Sequence, residues 1–145
     1  MTHIYSQWYL GSFQDSFDEG FLSRNHINRI ICVADEINIS ERPGRTFTKF
    51  PGLADDDSGG LLSVVVVPLL AHFERHPLLE SDRVLVHCWD DQSRAPSILT
   101  VVLVKTGIFE DISSALEHIR NMGHVLDIFP PYYEQLAINA SKDVP

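Results

Sequence analysis

The chain has 145 residues, 44% hydrophobic and 21% charged, which suits one domain, residues 1–145, with a sizeable core. Eleven Lys and Arg against twenty Asp and Glu give a net charge of −9, which argues against non-specific binding to nucleic acid or to an acidic membrane. Two cysteines, Cys32 and Cys88, make no disulfide framework and point to a reducing compartment, cytoplasm or nucleus.

The opening MTHIYSQWYLG has no basic flank and no long apolar run, so no signal peptide is expected. IYSQWYLG, from Ile4, alternates as an edge strand does. From Gln14 to Arg24, Phe17, Phe21 and Leu22 fall at helical spacing. INRIICVA, from Ile27, reads as a buried strand rich in β-branched residues, and TFTKF, after the turn RPGRT, as a short one. PGLADDDSGG, from Pro51 to Gly60, has the composition of an acidic, mobile loop. In LLSVVVVPLLAHFERH, Leu62, Val66, Leu70 and Phe73 share a helical face despite Pro68. The apolar run around Val64–Ala71 is far too short to span a bilayer. RVLVH, residues 83 to 87, is a strand, and Pro96 fits the first turn of a buried helix running through SILTVVLVK. EDISSALEHIRNM sets Ile112, Ala115, Leu116 and Ile119 on one helical face, and PPYYEQLAINA closes as a last short helix. This order predicts an α/β fold, a central mostly parallel sheet flanked by helices.

Between RVLVH and its helix lies VHCWDDQSRAP, residues 86 to 96. It holds Cys88 and, six positions on, Arg94. A helix N-terminus and a permanent positive charge both lower a thiol's pKa, so the loop is placed to hold a thiolate. His87 can hydrogen-bond locally. Backbone N–H groups curving into a helix N-terminus cradle an anion, and an arginine grips two phosphate oxygens at once. A thiolate at the base of that cradle faces phosphorus and can form a covalent thiophosphate. The leaving oxygen needs a proton, which one of Asp55, Asp56 and Asp57 can supply, with Gly59 and Gly60 allowing movement.

His-Cys, five residues, then Arg, as VHCWDDQSR, resembles the signature loop of cysteine-dependent protein tyrosine phosphatases, and the small dual-specificity subgroup fits best. IYSQWYLGSFQDSFDEGFL, INRIICVADE, RVLVHC, SALEHIR and PPYYEQL extend the resemblance over nearly the whole chain. It implies a phosphotyrosine phosphatase-like fold, with the signature loop between a strand and a helix. It implies a protein phosphatase acting on phosphotyrosine, and on phosphoserine or phosphothreonine, through a cysteinyl-phosphate. Cys88 would be nucleophile, Arg94 the phosphate clamp and His87 a residue orienting the loop. The backbone amides of Trp89, Asp90, Asp91, Gln92, Ser93 and Arg94 would bind phosphate. The general acid would lie about thirty residues upstream of Cys88, at Asp56, with Asp57 and then Asp55 the next choices. The partner would be a phosphorylated protein, with no metal or other cofactor, and neither nucleic acid nor membrane.

Two positions depart from that pattern. Asp91 stands where the family has glycine, and Ala95 where a serine or threonine hydroxyl assists thiolate release. Both imply a slower enzyme, or a pseudophosphatase that binds phosphoprotein without turning it over. A rhodanese-type sulfurtransferase also holds a cysteine in an anion-binding loop, but needs no acidic loop upstream. Elsewhere Cys32 reads as a core thiol. His72 and His76, one helical turn apart, lack a third metal ligand and read as a solvated helix end. Lys49, Arg42 and Arg45 read as ordinary exposed charges. An exposed, low-pKa Cys88 would be sensitive to oxidation.

Overall fold

The structure, a computed structural model, describes residues 1–54 and 62–138. The expected edge strand is two strands, β1 (Thr2–Tyr5) and β2 (Trp8–Gly11), paired antiparallel. Ser6, at φ 48°, turns the chain between them, a conformation the alternating pattern hides because the turn lacks glycine. The expected helix over 14–24 also divides, into a 3₁₀ turn (Asp15–Phe17) and α1 (Glu19–Arg24). Asp18 causes the break: its carboxylate accepts the Phe21 N–H (3.1 Å), so it caps a new helix instead of continuing one.

The remaining strands are β3 (Arg29–Cys32), β4 (Thr46–Lys49) and β5 (Val84–His87). Among the described residues the strands form one five-stranded sheet in the order β1-β2-β5-β3-β4, parallel everywhere except β1 with β2. Every residue of β2, β3 and β5 is buried, as parallel strands covered on both faces require. Alternation sorts their side chains. Leu10, Ile31, Val84 and Val86 enter the larger core, while Tyr9, Ile30 and Leu85 enter a smaller one with Leu22 of α1.

The larger core is built around α3 (Arg94–Lys105), in which every residue from Arg94 to Val104 is buried. Packed near it are α2 (Leu62–Arg75), α4 (Ile112–Asn121) and α5 (Pro130–Ile138). The buried face of α2 is Leu62, Val65, Val66 and Leu69, and Leu70 and Phe73 of the expected face pack only at its border. Pro68 lies on the exposed side, where the carbonyl it leaves unbonded can meet water.

The buried Arg29–Asp82 pair (3.3 Å) lies near the N-terminal ends of β3 and β5. The C-terminal ends of β2, β5 and β3 meet at the other edge, where open parallel sheets place their ligands.

Truncating Leu99, fully buried on α3, to alanine should cost about 2–5 kcal/mol. The urea midpoint should fall with an unchanged slope, and an unshifted midpoint would show that α3 is not central to the core.

Candidate active site

Strand β5 delivers the chain to Cys88 between two neighbours that hold it in place. The Val33 N–H, just past β3, donates to the His87 carbonyl (3.0 Å), and the Phe13 N–H, just past β2, donates to the Trp89 carbonyl (3.0 Å). The chain then turns through Asp91, at φ 62°. From the far side, the segment after α4 fastens three successive residues. His124 Nε2 donates to the Asp91 carbonyl (2.7 Å), the Asp127 N–H to the Gln92 carbonyl (2.9 Å), and the Phe129 N–H to Ser93 Oγ (3.0 Å). In a trans peptide the C=O and the next N–H point opposite ways. With the carbonyls of Trp89, Asp91 and Gln92 held outward, the N–H groups of Asp90, Gln92 and Ser93 are directed to the other side of the turn. The Gln92 N–H is met by the Asp90 carboxylate (3.2 Å).

Arg94, the first residue of α3, is 1% exposed. Its Nη1 and Nη2 both reach the Glu36 carboxylate at 2.6 Å, and Nη1 also donates to the Leu53 carbonyl (3.1 Å). The hydrogen bond from Arg94 holds Glu36 below the usual carboxylate range, against the upward push of partial burial. Glu36 escaped the sequence reading. The signal was the need itself: a guanidinium taken out of water demands a carboxylate nearby.

Cys88 is fully buried, and burial pushes its thiol up to about 11. The Ala95 N–H, 3.4 Å from Sγ, and the Arg94 charge pull the other way, while the Asp90 carboxylate adds to the rise. The expectation of an exposed, low-pKa thiolate is therefore corrected: loss of water outweighs the Ala95 and Asp91 N–H groups and a cation already paired with Glu36. His87 is buried too, and burial lowers its pKa to about 4, so it is neutral near pH 7. Its Nδ1 lies 3.1 Å from the Cys88 carbonyl, which only accepts, so Nδ1 carries the proton.

Trp89 is 53% exposed and stacks on Phe13, with ring centroids 5.2 Å apart. Together with Ser12, Gln14 and Asp90 they line a cavity of ≈ 330 Å³ beside the loop. A cavity of ≈ 390 Å³ lined by Arg29, His72, His76 and Asp82 lies instead where the parallel strands start, away from Cys88. Cys32 is fully buried, as expected of a core thiol. Arg42, Arg45 and Lys49 are not plain exposed charges. Arg42 and Arg45 both pair with Glu19, Arg45 also donates to the Ile27 carbonyl (2.8 Å), and Lys49 donates to the Asp35 carbonyl (2.8 Å). Among the described residues no cluster of three or more His, Cys, Asp or Glu side chains could hold a metal ion. None of their helices is long and apolar enough to cross a membrane. Asp55, Asp56 and Asp57 lie outside the described residues.

No family model matches the chain, and no curated protein matches it in sequence. Solved structures do match. Human DUSP28 superposes with a TM-score of 0.80 at 20% identity, over 96% of this chain and 94% of that one. DUSP15 does so with 0.74 at 25% identity, over 94% and 84%. The human tyrosine phosphatase-like serine/threonine/tyrosine-interacting protein does so with 0.79 at 17% identity, over 95% and 93%. The chain has the fold of the small dual-specificity phosphatases.

Within that fold the two departures have visible consequences. Asp91 takes up the left-handed conformation that glycine adopts without cost. At position 95 the backbone N–H still reaches Sγ although the hydroxyl is absent.

Glu36→Gln keeps the shape of the pair and removes its charge. Because the folded pKa of Glu36 is depressed, its carboxylate contributes stability above the unfolded value of about 4.3 and loses it as pH falls through the folded value. The melting point should therefore separate native chain from variant at pH 7, and the gap should close in acid. A gap that persists at low pH would remove the ionic basis of this pairing.

Proposed function

We propose that the chain is a cysteine-dependent protein phosphatase. It hydrolyses phosphotyrosine, and by the same chemistry phosphoserine and phosphothreonine, on protein partners. The observation that carries this reading is the loop itself: Cys88 and Arg94 at its two ends, its carbonyls turned outward, at the C-terminal edge of the parallel strands. The phosphatases among its structural neighbours support it.

In this reading the phosphate sits on the inward N–H groups of residues 89–94, against the Arg94 guanidinium. The Cys88 thiol, at about 11, is protonated at neutral pH. Its proton passes to an oxygen of the phosphate dianion, whose second pKa is about 6, as sulfur bonds to phosphorus. A free thiolate therefore never has to stand in the buried loop. The ester oxygen leaves with a proton from Asp56. Asp56 then takes a proton from water, whose oxygen bonds to phosphorus as the S–P bond breaks and the sulfur takes back its proton from the phosphate oxygen. The acidic segment leaves the described chain at Ala54, one residue after the Leu53 carbonyl that Arg94 holds. That proximity supports a general acid from this segment, and the offset from the helix apolar positions Leu62, Val66 and Leu70 favours Asp56, with Asp57 and then Asp55 the next choices.

The test is steady-state hydrolysis of a small aryl phosphate between pH 5 and 8. Cys88→Ser should abolish turnover. Arg94→Lys, losing a charged bidentate contact, should lower kcat/KM by about tenfold to a hundredfold. Asp56→Asn should lower kcat by roughly 10²–10⁴ with poor leaving groups. Turnover that survives in Cys88→Ser would reject the mechanism. An inert native chain that still binds tungstate would make the protein a phosphate-binding module instead.

A further inference from the structure

Position 91 poses a problem that the loop must solve. At φ 62° an L-residue meets a steric cost that glycine escapes, although aspartate tolerates the region better than most. Asp91 also brings a carboxylate, 24% exposed, to the turn whose N–H groups are to receive an anion. Both difficulties meet one side chain, His124.

His124 is 6% exposed, and both of its ring nitrogens are engaged. Nε2 lies 2.7 Å from the Asp91 carbonyl, and Nδ1 lies 2.8 Å from Thr2 Oγ1. A carbonyl only accepts, so Nε2 carries the hydrogen. In the neutral ring Nδ1 is then the acceptor of the Thr2 hydroxyl. The Asp91 carboxylate stands 3.9 Å from the same Nε2–H. The chain brings His124 here by leaving α4 through Gly123 at φ 86°, with the Gly123 N–H on the Arg120 carbonyl (2.9 Å). A relay thus runs from the first strand, through an imidazole that follows α4, to the strained peptide of the loop.

We infer that His124 is a positioning residue for the oxyanion loop, required because position 91 carries aspartate. It holds the Asp91 carbonyl outward, so the Gln92 N–H on the same peptide points into the turn, where the Asp90 carboxylate meets it (3.2 Å) and an incoming anion would take that carboxylate's place. It also sets a ring N–H dipole against the Asp91 carboxylate, adding to the Met1 amine, so that less of its charge acts on an incoming phosphate. The inference rests on the phosphatase reading of the loop, and its test separates the two.

Tungstate serves as the probe, because its binding needs no turnover. Its dissociation constant is measured by calorimetry for the native chain, His124→Ala, His124→Gln, Asp91→Gly and the Asp91→Gly/His124→Ala double variant. Losing the hydrogen bond should weaken binding about tenfold in His124→Ala. Gln, whose amide reaches the place of Nε2, should restore most of it. In the Asp91→Gly background the same alanine should change binding by less than about twofold, since the pair acts as a unit. In aryl phosphate hydrolysis, His124→Ala should raise KM more than it lowers kcat. If His124→Ala fails to fold, Thr2→Val replaces it. Without the hydroxyl the ring is free to put its hydrogen on Nδ1, and binding should still weaken unless residue 91 is glycine. Equal losses with and without the Asp91→Gly substitution would reduce His124 to a general structural role and overturn the inference. So would undiminished binding in His124→Ala. A native chain that binds no tungstate would overturn the loop's phosphate-binding role itself, and this inference with it.

Discussion

A guanidinium cannot shed its proton to enter a protein interior, so Arg94 must bring a counter-charge with it. That constraint organises the site. Glu36, seven residues after the start of β3, meets Arg94 with both carboxylate oxygens. The Leu53 carbonyl joins them from the chain that leads into the acidic segment. Two stretches far from it in sequence are thereby tied to the first residue of α3. The helix start cannot move without breaking an ion pair whose guanidinium is buried and whose carboxylate reaches solvent, and the loop from Cys88 to Arg94 is stretched between that anchor and the end of β5.

The central part of this arrangement was legible in the sequence. An apolar run ending in His-Cys, then an arginine and a proline, names a strand, a turn and a helix start from local chemistry alone. The resemblance marked position 91 as one where glycine is usual, and the structure puts Asp91 there in the left-handed region. What escaped was set by contacts between distant residues. Glu36 is 58 positions from Arg94 and His124 is 33 from Asp91, and nothing in either neighbourhood marks it as a partner. The β1–β2 hairpin escaped because Ser6 makes a turn that usually announces itself with glycine. On α2, Leu62 and Val66 were read as core and are buried, but Val65 and Leu69 were missed, because a run of apolar residues supports more than one stripe.

The thiol shows a different failure, one of magnitude. Arg94, the helix start and the Ala95 N–H all favour a thiolate, and a sequence reading can count them. It cannot count the water that α3 and the sheet remove from Cys88, nor the fraction of the Arg94 charge already committed to Glu36. Burial wins, and the thiol rises to about 11. The same burial lowers the neighbouring His87 to about 4, because desolvation disfavours whichever form is charged. Adjacent residues therefore shift in opposite directions for one reason, and both are neutral near pH 7.

A loop with a neutral thiol, a paired arginine and two carboxylates, in a chain of net charge −9, is a poor magnet for anions over distance. Its attraction has to be short-ranged. At physiological ionic strength charges more than about 8 Å apart are largely screened, so the excess acid elsewhere on the surface matters little at the cradle. Oriented N–H groups act inside that range, and their effect depends on direction. Every peptide that rotates loses a donor and presents a carbonyl oxygen in its place. This is why the bonds from Phe13, His124 and Asp127 to the loop's carbonyls matter more than net charge: they fix the sign of the field inside the turn.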